Sequence, residues 1–141
     1  MKRQSILRVV AKWLIPQILL FAFYVQFHGD YGPGGGFQAG VIFAAGFILY
    51  GLVFGLNEAR RAAPAAVLET LFALGVLIYA GTGIVSMLMG GNLLDYNALN
   101  HHHPSHGQHV GLLVIEFGVG VTVASGMLTI FYAFAGRERK A

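Results

Sequence analysis

Four long apolar runs, at about 7–27, 37–56, 67–89 and 110–135, leave this chain little choice of fold. Each can supply the ~20 residues that an α-helix needs to cross a hydrocarbon core of ~30 Å. A backbone in lipid must satisfy its own polar groups, so runs of this length are read as helices. The second run, Phe37 to Leu56, carries no charge at all. The first contains Lys12, whose long side chain can reach back to the headgroups while WLIPQILLFAFYVQF crosses. Composition agrees: charged residues make up 11% of the chain, less than half the roughly 25% of a soluble domain. The expectation is an all-α integral membrane protein, a single membrane domain over 1–141 with four transmembrane helices. A basic start before an apolar stretch also fits a signal peptide. That stretch ends in Tyr24 to His28 without a small-x-small cleavage pattern, so it is read as a retained span.

Charge placement orients the spans. All nine basic residues fall in three places: Lys2, Arg3, Arg8 and Lys12 at the start, Arg60 and Arg61 in the second connection, and Arg137, Arg139 and Lys140 at the end. The first and third connections have none. The positive-inside rule therefore puts both termini in the cytoplasm of a multi-pass cell (inner or plasma) membrane protein, with the first and third connections outside. A net charge of +3 confined to the ends gives nucleic-acid binding no support. With no cysteine, the chain has neither disulfides nor a thiolate metal site.

The first connection, HGDYGPGGGFQAG, is the most unusual stretch. A tight turn between two helices needs one or two glycines, yet four surround Pro33 between Gly32 and Gly36. Successive glycine N–H groups, together with the free N–H groups opening span two, can form an anion-attracting nest, and Asp30 is close enough in sequence to occupy it. No Gly-Lys-Ser/Thr follows and the G-x-G-x-x-G spacing is not met, so this is not a nucleotide loop. Small residues recur at four-residue spacing at Gly36, Gly40 and Ala44, at Gly51 and Gly55, and at Thr122 and Gly126. Such rows let helices approach closely in lipid.

Ionisable groups inside the spans are few. Glu69 stands just inside the start of span three, after Pro64, where the helix dipole favours an interfacial carboxylate. Glu116 lies six residues past Val110, about 9 Å along the axis. No Lys or Arg of the chain lies at that depth, so this carboxylate is expected to be held neutral by desolvation or paired with a group from another chain. The third connection, NHHHPSHGQH, gathers His101, His102, His103, His106 and His109. Five imidazoles could bind zinc or titrate near neutral pH, but no acidic or cysteine ligand lies in the run, so they are read as solvated or interface-packed, with no metal assigned. No nucleophile with its base, carboxylate pair or cofactor motif is present, and the chain is not read as an enzyme.

His28, Gly29, Pro33, Gly34, Gly35, Gly36, Phe37 and Gly40 resemble the loop signature of the MnhB/MrpB subunit family of multisubunit Na+/H+ antiporters. Glu116, Gly118, Val119 and Val121 resemble that family's acidic-x-Gly-Val pattern, and the likeness covers essentially the whole chain. The resemblance implies a small integral subunit of a complex that exchanges Na+ for H+, alongside large antiporter-like subunits thought to carry the main ion channels. This subunit would support assembly and line part of a sodium path, with His28 anchoring the glycine loop through hydrogen bonds. Two other readings are a purely structural subunit of a related membrane-bound hydrogenase-type complex and a small multidrug/proton antiporter. The decisive glutamate of small multidrug transporters belongs in the first span, which here has none.

Overall fold

The computed structural model describes residues 2–29, 34–99 and 104–137, and these are helical with short connections. Five α-helices follow one another: α1 Lys2–His28, α2 Gly36–Phe54, α3 Leu56–Ala62, α4 Ala65–Leu88 and α5 Pro104–Ala135, with a 3-10 turn at Tyr96–Leu99. Four stretches are long and apolar enough to cross a membrane: Ser5–His28, Gly36–Phe54, Ala65–Leu88 and His106–Ala135.

Two boundaries differ from expectation, each for a local reason. α2 stops at Phe54 because Gly55 takes φ 106°, a backbone conformation that essentially only glycine adopts. The chain then turns into α3, a seven-residue helix bearing Glu58, Arg60 and Arg61. α5 begins at Pro104, six residues before the expected Val110. Proline is favoured at a first helical position, where the missing N–H costs no bond. His106 and His109 therefore sit on the first turns of α5, not in a loop.

The long helices form an open row in the order α1, α2, α5, α4, with only slight contact between α1 and α5. Glycines set the register. α2 and α5 run parallel, with Gly36 against Glu116, Gly40 against Gly120 and Val123, and Gly51 against Phe131. α4 runs the opposite way along α5, with Gly75 against Gly118 and Thr122. The row Gly36, Gly40, Ala44 is thus a contact surface, fully buried, and its partner is α5 of the same chain. Gly126 meets Phe72, whereas Gly55 faces open space. Hydroxyls inside the spans turn back on their own helices: Thr122 donates to the Gly118 carbonyl at 2.9 Å, Ser125 to Val121 at 2.6 Å and Ser86 to Thr82 at 2.9 Å. They need no acceptor on a neighbouring helix.

The compact core lies at the α3 end, where Ala44, Ala59, Ala63, Leu68, Leu128 and Tyr132 pack together. Tyr132 donates its hydroxyl hydrogen to the Ala63 carbonyl at 3.1 Å. The Arg60 guanidinium lies 5.7 Å from the centre of the same ring. Elsewhere the surface is greasy: only 11% to 28% of the most apolar window of each span is buried within the chain. The rest requires lipid or other subunits to cover it.

Candidate functional site

The site begins where α1 ends. His28 closes that helix, and its ring stacks on Tyr24, one turn back, at 5.1 Å and 17°. Residues 30–33, to which the resemblance implies hydrogen bonds from His28, lie outside the described residues. The chain returns at Gly34 and Gly35, folded onto the last turns of α1. The Gly35 N–H donates to the Val25 carbonyl at 3.3 Å. A Cβ at Gly34 would stand 2.8 Å from the Val25 oxygen and 3.1 Å from the Gly29 Cα. The glycines here are needed for close approach of backbone to backbone.

Gly35 caps α2 with φ 120° and ψ 172°. The free N–H groups of the first turn of α2 are thereby left facing the loop, at the positive end of the helix dipole. Glu116 of α5 lies against this cradle. A Cβ added at Gly29 would meet its Oε2 at 2.7 Å and its Oε1 at 3.1 Å. One added at Gly35 would meet Oε1 at 3.0 Å, and one at Gly36 would run into the Glu116 backbone carbonyl. Glu116 is half-buried, and it is engaged in a polar or electrostatic contact here.

The two sequence patterns, 80 residues apart between Gly36 and Glu116, are therefore one site. Glu116 brings a carboxylate against Gly29 and Gly35, and the expectation that Asp30 occupies a nest here falls on a residue outside those described, as Pro33 also is. Glu116 stands level with the first residue of α2 and beside Gly29, just past the end of α1, with Gly29 and Gly35 of its own chain against it.

Phe37 is exposed on the outer side of the first turn of α2. Gly40, one turn further, is buried against Gly120. Sequence reasoning missed Gln26 of α1, whose Oε1 would be 2.7 Å from a Cβ at Gly120. The signal was there, since a lone amide in an apolar span is a common device for joining membrane helices. It also missed Gly75 and Gly120, and it did not extend the pair Thr122 and Gly126 back to Gly118, four residues earlier; these glycines let α5 touch α4 and α2 at once.

The histidines remain apart from this arrangement. His106 and His109 are exposed on α5, His109 with a polar or ring contact of its own. His101, His102 and His103 lie outside the described residues. Among the described residues no three His, Cys, Asp or Glu gather to hold a metal ion.

Four helices long and apolar enough to cross a membrane, with no strand among the described residues, mark a multi-pass membrane protein. A family model described as "Domain related to MnhB subunit of Na+/H+ antiporter" matches residues 6–129, and the chain belongs to the MnhB family. It is 36% identical over 133 residues to "Putative antiporter subunit mnhB2" of Staphylococcus haemolyticus (strain JCSC1435), a match covering 93% of this chain and 94% of that one. Proteins of the same name from Staphylococcus epidermidis and Staphylococcus aureus (strain Newman) are 35% and 33% identical over the same share of each chain.

Proposed function

We propose that this chain is a small integral subunit of a multisubunit Na+/H+ antiporter, a transport component and not an enzyme. Its termini lie in the cytoplasm, and the glycine loop and the histidine-bearing connection face outward, as the distribution of Lys and Arg supports. Its partners are the other subunits of the complex, including large antiporter-like ones, with Na+ and H+ the ions the complex exchanges. Within it, Glu116 and the loop from His28 to Gly40 make a charge-dependent contact at the outer end of the spans.

The observation carrying this reading is the placement of the Glu116 carboxylate against Gly29 and Gly35, at the start of α2. A carboxylate in this position attracts the positive end of α2 only while ionised. Binding a proton or a cation changes that attraction, and the run Gly34 to Gly36 puts no side chains in the way of a change of shape. Passage of ions beside this subunit is thereby coupled to a backbone segment that neighbouring subunits can touch.

The test is Glu116→Gln in the assembled complex. Subunit stoichiometry on affinity purification should be unchanged. Na+/H+ exchange should fall about tenfold, the effect of losing one charge-assisted contact of ~1.5 kcal/mol. Unchanged exchange would overturn the ion-path role. A second reading, that the site is scaffold only, draws on Gly36, which packs on the Glu116 backbone irrespective of its charge. On that reading the substitution acts only through assembly, in this complex or in a related hydrogenase-type one. Recovery of the chain alone as a dimer would instead point to a small multidrug/proton antiporter.

A further inference from the structure

The open row of helices leaves a groove of about 250 Å³ between α1 and α4, floored by α2 and α5. Its walls include Phe27, Phe43, Phe117 and Leu68, and among the lining side chains only Gln26 and Ser125 carry polar atoms. The Ser125 hydroxyl is already committed to the Val121 carbonyl at 2.6 Å. Along α5 the groove extends from Phe117 to Leu128, about 16 Å at 1.5 Å per residue. That is the depth of one lipid layer, half of the ~30 Å core.

Over that length the lining is almost wholly apolar, which suits an extended hydrocarbon chain.

One turn beyond Leu128, on the same face of α5, stands Tyr132 with the Arg60 guanidinium over its ring at 5.7 Å. Arg61 is paired with Glu58 at 3.1 Å, whereas Arg60 has no carboxylate partner among the described residues. A cation with no carboxylate partner among the described residues thus marks the headgroup end of an apolar groove one lipid layer deep. We infer that the chain holds an anionic phospholipid, with one acyl chain in the groove and its phosphate at Arg60. The phosphate end stands by Tyr132, 16 residues along α5 from Glu116, and the inference does not depend on the role proposed for Glu116.

Photocrosslinking in intact native membranes tests this. Benzoyl-phenylalanine is introduced at position 43, the membranes are irradiated, and the full chain is purified under denaturing conditions for intact mass measurement. The expected product is an adduct carrying the mass of one anionic phospholipid, enriched over its share of the membrane. Arg60→Gln should lower that enrichment about fivefold, equivalent to the ~1 kcal/mol of one basic residue near a lipid surface. An adduct with another polypeptide, no lipid adduct, or a lipid adduct whose headgroups match the bulk membrane and ignore Arg60→Gln would each overturn the inference.

Discussion

The two ends of this row of helices are held together by opposite means. At the α3 end, side chains do the joining: Ala59 and Ala63 pack on Leu68, Leu128 and Tyr132, and a phenol hydroxyl reaches a backbone carbonyl across 69 residues of sequence. At the loop end, side chains are missing where contact is closest, and backbone meets backbone or a carboxylate at Gly29, Gly34, Gly35 and Gly36. Side-chain packing tolerates trimming, because neighbours relax into part of the space. Backbone contacts tolerate no addition. The loop end is therefore the fragile one and, on the role proposed for Glu116, the responsive one, and the α3 end is the clamp.

The sharpest way to break this contrast is Gly36→Val. Its Cβ would collide with the Glu116 backbone carbonyl, and neither helix has a flexible side chain that can yield. The expected result is a loss of ~3 kcal/mol or more, read as near-complete loss of the chain and its partner subunits from the purified complex. Near-normal recovery would show that α2 and α5 can separate at this end, and the site would then not be a fixed contact.

A finer comparison uses two glycines of nearly the same conformation. Gly35 has φ 120° and ψ 172°, and Gly55, at the other end of α2, has φ 106° and ψ 152°. Alanine at either position pays ~1–3 kcal/mol for a backbone shape that L residues avoid. Only at Gly35 does the new methyl also meet Glu116 Oε1, at 3.0 Å, while at Gly55 nothing lies within 4 Å. Gly35→Ala should therefore be more destabilising than Gly55→Ala by ~1 kcal/mol in thermal melting of the purified complex. In a Glu116→Ala background that difference should disappear, as expected when two contacting residues are coupled. A difference that persists there would assign the crowding to something other than the carboxylate.

Much of this was readable in the sequence, and the reason the rest was not is the same throughout. Span content is local, so the four apolar runs and the row Gly36, Gly40, Ala44 announce themselves within 20 residues. Partner choice is not local. Nothing within α2 says that its small-residue row faces α5, or that Glu116 would lie against the loop. The lone Glu116 read as a group held neutral by desolvation or paired outside the chain because the glycines that lie against it, 80 or more residues earlier, have no side chains to announce the approach. α3 escaped for a different reason. Seven residues are too few to show helical periodicity, and LNEARRA reads equally well as a charged turn. The extension of α5 was legible after the fact, because Pro104 opens a helix as naturally as it ends one.

The smallest change tests the division of labour itself. Tyr132→Phe removes the hydroxyl that donates to the Ala63 carbonyl at 3.1 Å but keeps the ring under Arg60. The carbonyl left behind sits in the buried core, so the cost should be that of one lost hydrogen bond, ~1 kcal/mol. Tyr132 is 16 residues beyond Glu116 on the same helix, about 24 Å away along the axis. If the α3 end is only a clamp, the variant should melt slightly earlier while its Na+/H+ exchange per assembled complex stays at the level of the parent. A loss of exchange as large as that of Glu116→Gln, with assembly intact, would mean that strain at one end of α5 is transmitted to the other. The helix would then be a lever between the two ends, and the clamp and the responsive site would have to be treated as one device.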